Sequence, residues 1–493
     1  MYLGDLTVSD VLKHSVMTNK VLTNGVRPDE PSEVGSPHIV AAKRMKVRGA
    51  KGVTSQLNLQ QNMQGTGRPL LSMENELRDL RYLSRTYAQV QTLMPRINEH
   101  ALKYEHRKQE RNKASGVDGV TKDEYGENLD ANVADLIKRM KAFSYRPNPV
   151  RRTYIPKANG NMRPLGIPSY EDKLVQGVMA GILSDIYEER FYDSSYGFRP
   201  NRSAHDAVRY VSHIITTHKV NYVLEADIKG FFDNVDHDWL MKFLAHDIAD
   251  KNFLRYIKRF LIGGVLEGTE RKESDKGTPQ GGLISPVLAN VYLHYVLDLW
   301  VERVLKNELR GEVYYVRYAD DFVLMFQYEN EAKSVLEELR ARLGKFNLEV
   351  AEDKTRILPM GRFKGTKEDF DFLGFTFYNM KSKQDKYMAG VRTSKKRLKV
   401  KEQAVKKWLK GRRTKPVAET IKRMGIALKG HYNYYGVSGN TRMLDKFHEY
   451  VKYACFRMLN RRDQKGKFRY DKFLRVWEFY VPLPRLTVNI WNM

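Results

Sequence analysis

Cysteine is nearly absent: Cys455 stands alone among 493 residues. A single thiol closes no disulfide within the chain and supports no cysteine-based zinc site, which fits a reducing compartment. Long apolar runs are lacking too. The greasiest stretch, Val287 to Val301, is broken by Asn290, His294 and Asp298, short of the roughly 18 apolar residues a membrane helix needs. The first 72 residues carry Asp5, Asp10, Asp29, Glu30 and Glu33, with few arginines and no apolar segment, unlike a secretory or transit leader. These absences predict a cytoplasmic protein with no membrane among its partners. Acidic residues are also outnumbered, 59 Asp+Glu against 85 Lys+Arg, for a net charge of +26. So basic a chain calls for a polyanionic partner, nucleic acid first.

A chain of this length predicts about two to four domains. Residues 1–72 are rich in Gly, Ser, Thr, Asn and Gln and form an extension whose role the sequence leaves open. From Met73 onward Leu77, Leu80, Leu83, Tyr87 and Val90 recur at helical spacing. Between Arg151 and Gly374, the segments Thr153–Ile155, Tyr222–Asp227, Val313–Tyr318 and Phe322–Phe326 read as strands, and Asp172–Ile186, Ala204–Thr217 and Pro286–Val304 as helices. Strands and helices without regular βαβ spacing predict an α+β fold on a small antiparallel sheet. Beyond Gly374 the composition shifts. Between Arg392 and His431 there are 15 Lys/Arg against only Glu402 and Glu419, a basic helical unit with Leu398, Val405 and Leu409 as its buried stripe and Pro416 as a break.

The most informative stretch is Tyr315 to Leu324, Y-V-R-Y-A-D-D-F-V-L, two apolar strands joined by a tight turn bearing Asp320 and Asp321. Adjacent carboxylates repel, and placing them against apolar strands is costly unless cations neutralise them. Hard oxygen donors select Mg²⁺, with Mn²⁺ as the alternative. A third acid, Asp227, ends the strand in Y-V-L-E-A-D-I-K-G-F-F-D, and if the two strands are neighbours the three carboxylates converge. That set suits two-metal phosphoryl transfer. Asp233, Asp236 and Asp238 compete for the role, but acids gather at helix N-termini, and these are assigned to caps or surface positions.

Together these residues resemble the reverse transcriptases, and among them the proteins encoded by group II introns. Tyr318–Asp321 looks like the Y-x-D-D motif, Asp227 the acid of the first palm motif, Gly277–Asn290 (G-T-P-Q-G-G-L-I-S-P-V-L-A-N) the Q-G-x-x-x-S-P motif, and Phe370–Phe375 (F-D-F-L-G-F) the passage from palm to thumb. Four motifs in order over about 150 residues are specific where one would be weak. The resemblance implies a right-hand polymerase: fingers and palm over 73–374, a helical thumb or maturase domain over 375–440, and a basic segment over 441–493 that contacts RNA or DNA.

It also implies roles. Asp227 and Asp320 would bridge two Mg²⁺ ions, with Asp321 adding more to the site's charge and position and the Ile228 carbonyl as a further oxygen ligand. Lys354 would protonate the departing pyrophosphate, the alternative being a surface lysine paired with Glu352 or Asp353. Lys157 and Arg163 would grip the dNTP, Pro279 and Gln280 would line its pocket beside Gly281 and Gly282, and Phe232, with Phe231 the runner-up, would exclude a 2′-hydroxyl. Arg199 or Arg202 in Y-G-F-R-P-N-R would touch template or phosphate. Trp408, Tyr432, Tyr434 and Tyr435 are candidates for RNA contact, packing inside the thumb being the alternative.

Asn112–Thr121 (N-K-A-S-G-V-D-G-V-T) resembles the extension that precedes the fingers in the group II lineage, and Lys429–Asn440 the maturase thumb. Expected partners are group II intron RNA, an RNA template with DNA primer, dNTPs and target DNA, in a bacterial cytoplasm or nucleoid. With one cysteine and an end at Met493, the chain resembles members without an H-N-H nuclease, and no endonuclease activity is expected. Two alternatives keep the fold: a reverse transcriptase recruited by its host for defence or repair, and a non-catalytic RNA-binding maturase.

Overall fold

The computed structural model describes residues 79–156, 162–268, 270–272, 275–278, 281–364, 366–462 and 469–491. The expected extension 1–72 therefore lies outside the described residues. Residues Leu77–Met493 form one compact unit.

Eleven strands make three sheets among the described residues: β1 (Val150–Pro156), β2 (Met162–Ile167), β3 (Tyr222–Ala226), β4 (Val265–Glu267), β5 (Glu270–Lys272), β6 (Val313–Tyr318), β7 (Asp321–Phe326), β8 (Arg356–Pro359), β9 (Asp369–Phe372), β10 (Phe375–Lys381) and β11 (Tyr387–Thr393). The central sheet runs β6-β7-β3-β8, all antiparallel. Its strands are apolar on both faces, Val223, Leu224, Val316, Val323, Leu324 and Met325 being fully buried, because helices cover it. A second sheet, β2-β1-β4-β5, joins the β1–β2 hairpin to β4 by a short parallel pairing. The third, β9 to β11, is an antiparallel meander that the sequence reading did not anticipate.

The helix Ala204–Thr217 begins at a capping box, Ser203 accepting from the Asp206 amide while the Asp206 carboxylate accepts from Ser203. Its apolar stripe, Ala207, Val208, Val211, Ile214 and Ile215, is buried against β6 and β11. The segment expected as one helix from Pro286 is continuous from Ser285 to Glu308 but contains two π-helical turns, His294–Asp298 and Val301–Leu305. Four more helices follow the third sheet: Lys395–Lys410, Val417–Tyr435, Thr441–Asn460 and Tyr470–Tyr480. Pro416 caps the second of these, as its break in the pattern predicted. The basic helical unit shares its core with the sheets. Leu398, Leu409, Ile421 and Leu428 belong to the same hydrophobic cluster as Val223, Val316 and Val323 of the central sheet, linked through Phe370, Phe372 and Phe375.

Candidate active site

Strand register brings the acids together. Tyr318 pairs with Asp321 across β6 and β7, leaving Ala319 and Asp320 as a two-residue turn. On the other side of β7, Ala226 pairs with Phe322, so the next position outward on each strand is Asp227 and Asp321. Beyond β3 the ladder continues through a bridge between Ile228 and Val350: the Asp227 carbonyl accepts from Ala351 at 2.8 Å, and the Lys229 amide donates to Glu349 at 2.9 Å. Those bonds flank Ile228 and leave its carbonyl out of the ladder.

The electrostatics follow from this crowding. Burial, then the neighbouring charges of Asp320 and Asp227, push the Asp321 carboxyl up to about 6, although part of its surface remains open to solvent. Asp320 is raised too, by burial first and by Asp227. Three cations oppose the rise: Lys354 acts on both acids, Arg163 on Asp320 and Arg397 on Asp321. The Lys354 ammonium donates directly to an Asp227 oxygen, and that carboxylate raises the lysine's pKa. Lys354 thus pairs with Asp227 rather than with Glu352 or Asp353, while Glu352 is taken up by Arg340.

Among the described residues no three His, Cys, Asp or Glu side chains stand close enough to share a metal ion. The donor chemistry nevertheless fits one. Three oxygen-only carboxylates sit at adjoining strand ends, the charge of Asp227 raising the pKa of both Asp320 and Asp321, and an ammonium already sits on Asp227.

Gly230 opens the short helix Phe231–Asn234 at φ 55°. Phe231 turns inward, 2% exposed, against Tyr292, while Phe232 remains partly exposed. The Phe232 carbonyl accepts from the Thr278 amide at 2.8 Å, and the Val235 carbonyl from Gly277 at 2.7 Å, drawing Gly277 and Thr278 onto this helix. At its far end Gly281, at φ 113°, lies so close to β2 that a Cβ there would meet the Gly166 carbonyl at 2.3 Å. Arg163 stands on β2 opposite Ile155. Lys157, Pro279 and Gln280 lie outside the described residues.

Several residues expected to contact nucleic acid have partners within the protein. Arg199 is 6% exposed, forks onto Glu188 at 2.9 and 3.0 Å and donates to the carbonyls of Tyr192 and Ser195, which leaves no face for a template. Arg202 donates to both the carbonyl and the carboxylate of Asp193. Tyr432 is buried with its hydroxyl on His448, and Tyr435 is 4% exposed under Lys401. Tyr434, partly buried, stacks on Phe375 and donates to the Leu373 carbonyl. Trp408 is half-buried with Arg412 over its ring. The competing acids fall as assigned: Asp236 caps the helix His237–Asp247, and Asp233 and Asp238 are exposed.

Arg397 was missed. Its signal is local: Lys395, Lys396 and Arg397 crowd the first turn of a helix with no acid there, against the preference of the helix dipole.

Comparison with known proteins agrees with the geometry. The family model described as reverse transcriptase (RNA-dependent DNA polymerase) matches residues 155–377, the stretch that holds β3, β6, β7 and all three acids. Protein YkfC of Escherichia coli is 33% identical over 298 residues, 54% of this chain and 77% of that protein. The group II intron-encoded protein LtrA of Lactococcus lactis is 30% identical over 427 residues, 71% of this chain and 70% of that one. Nuclear intron maturase 2 of Arabidopsis thaliana is 27% identical over 183 residues, 29% of this chain and 24% of its own. This chain therefore belongs to the reverse transcriptase family, among the group II intron-encoded reverse transcriptases and maturases.

Proposed function

We propose that the protein is an RNA-directed DNA polymerase that also binds its own group II intron RNA as a maturase, assisting splicing and retromobility. The observation that carries this is the register of β3, β7 and β6, which sets Asp227 beside the Asp320–Asp321 turn. In this reading the central sheet is the palm, the β1–β2 hairpin the fingers, and the helices from Lys395 onward the thumb and its basic continuation.

Asp227, Asp320 and Asp321, with the Ile228 carbonyl, are the groups that would hold two Mg²⁺ ions. Bound there, the ions would lower the pKa of a primer 3′-hydroxyl and neutralise charge on the leaving pyrophosphate. The protein's own groups do the rest. Lys354, kept protonated by Asp227, supplies a proton at Nζ to the departing pyrophosphate. Arg163, together with Lys157, holds the triphosphate of a dNTP. Phe232, the partly exposed member of its pair, stands against a 2′-hydroxyl, while Phe231 anchors it from the core. Gly281, with no side chain, lets its own backbone come close to the nucleotide. Arg397 closes the acids from the thumb side, toward the primer. The basic helices 395–435, Trp408 among them, meet intron phosphates, whose recognition depends on shape and charge. Target DNA enters the same channel during retromobility.

Two assays on the purified full chain test the proposal. A DNA primer on an RNA template should lengthen with dNTPs and Mg²⁺, and the flanking intron RNA should splice faster at low Mg²⁺ when the protein is present. Splicing without primer extension would leave a maturase alone; extension without intron binding would leave a host-recruited polymerase.

A further inference from the structure

We propose that Arg317, fixed by Asp298 and Asn290, is the positioning residue that sets the height of the catalytic turn. This rests on the polymerase reading above. Arg317 precedes that turn on β6 and is completely buried, as is Asp298. Its guanidinium donates through Nε and Nη2 to the two oxygens of Asp298, at 2.8 and 2.6 Å. Nη1 donates to Asn290 Oδ1 at 2.8 Å and to the Ala319 carbonyl at 3.1 Å. Ala319 is the first residue of the turn, at φ 57°, where glycine is the ordinary occupant. A strained alanine there persists only if its surroundings hold it.

The surroundings do so from three sides. Gly197 packs on the turn so tightly that a Cβ would come 2.3 Å from the Ala319 nitrogen. Asn290 donates to the Gly197 carbonyl at 2.7 Å, so one side chain holds both the arginine and the glycine. The Arg317 backbone is bonded on both sides to the same loop, its amide to Ser194 at 2.9 Å and its carbonyl accepting from Tyr196 at 2.8 Å. The π-turn contributes as well. Residues 290 and 298 would point about 80° apart on a regular α-helix, and the extra residue of the π-turn His294–Asp298 takes up most of that offset. Burial drives the Asp298 carboxyl up, but the guanidinium outweighs it and holds the group at about 2, so the ion pair stays charged. The Y-G-F-R and S-P-V-L-A-N motifs thus meet beneath Asp320 through one arginine.

A buried ion pair can be exchanged for apolar side chains with little loss of stability, whereas removing one partner strands a charge. The test therefore uses the double variant Arg317→Met/Asp298→Leu in the full chain, with Gly197→Ala and Ala319→Gly as variants that leave the ion pair intact. Read-outs are thermal melting, template–primer affinity, single-nucleotide kcat and KM, and Mn²⁺ binding by electron paramagnetic resonance. The expected result is a folded double variant with unchanged template–primer affinity and dNTP KM, kcat lower by about a hundredfold, as a displacement near 1 Å can produce, and weaker Mn²⁺ binding. Should the double variant not fold, Ala319→Gly must show the same pattern with melting unchanged or raised, and Gly197→Ala a loss of kcat. Folded variants with kcat within about threefold of wild type and unaltered Mn²⁺ affinity would overturn the proposal. Mn²⁺ binding separates the two claims: a wild type that extends no primer defeats the polymerase reading, while the change in Mn²⁺ affinity still decides the role of Arg317.

Discussion

At the scale of single residues the site is a contest between like charges and the cations around them. Asp321, held near 6 by burial and by Asp320 and Asp227, carries charge at neutral pH that the folded protein would shed if it could. For an acid raised above its ordinary value, the folded state binds more protons between the two pKa values, so stability falls as pH rises through about 6 and recovers below it. In the metal-free protein Asp321→Asn should therefore raise the melting temperature at pH 7 to 8. The gain should be about 1 kcal/mol once solvent screening of a partly open group is allowed for, and it should shrink as the pH is lowered toward 4. Calorimetry in chelator checks it, and a destabilised Asn variant would contradict it. The same scale shows where reading the sequence stops. Arg199 and Arg202 look like any basic loop residues until their partners Glu188 and Asp193 are seen. Arg317, flanked by apolar residues, gives no sign that its acceptors are 19 and 27 positions upstream.

Elements were more legible than their pairing. β3, β6 and β7 stand out as apolar runs ended by turns, and Ala204–Thr217 announces itself by Ser203 and a clean apolar stripe. That β3 lies beside β7 was only a condition in the sequence, because register depends on contacts made roughly a hundred residues apart. The meander β9 to β11 escaped notice: the short alternation Phe375, Phe377 is followed by the charged hairpin Lys381 to Lys386, which reads as a loop. Turns that bring elements together give the sharpest element-level prediction. Gly281→Ala would set a methyl against the Gly166 carbonyl, forcing the G-T-P-Q-G-G segment away from β2. Steady-state incorporation should show dNTP KM raised by about tenfold, some 1.4 kcal/mol of binding, with intron RNA affinity unchanged. An unaltered KM would remove Gly281 from the nucleotide pocket.

In the whole molecule, the boundaries expected at 374 and 440 cut through one continuous core. The cluster that begins at Tyr196 ends at Ile490, and the basic helices are fastened to the sheet that carries the acids. Composition shifts mark a change of surface charge, which sequence displays, and not a break in packing, which it does not. Among the described residues no helix is long and apolar enough to cross a membrane, and the net charge of +26 is available to nucleic acid. In the proposed function this charge brings RNA to the three carboxylates, where it is copied into DNA. Primer extension on an RNA template with Mg²⁺, comparing wild type with Asp320→Ala/Asp321→Ala while intron RNA binding is followed in parallel, tests it most directly. Wild type should yield cDNA and the double variant none, with both binding intron RNA equally. Equal extension by the two proteins, or none by either while both bind, would contradict it.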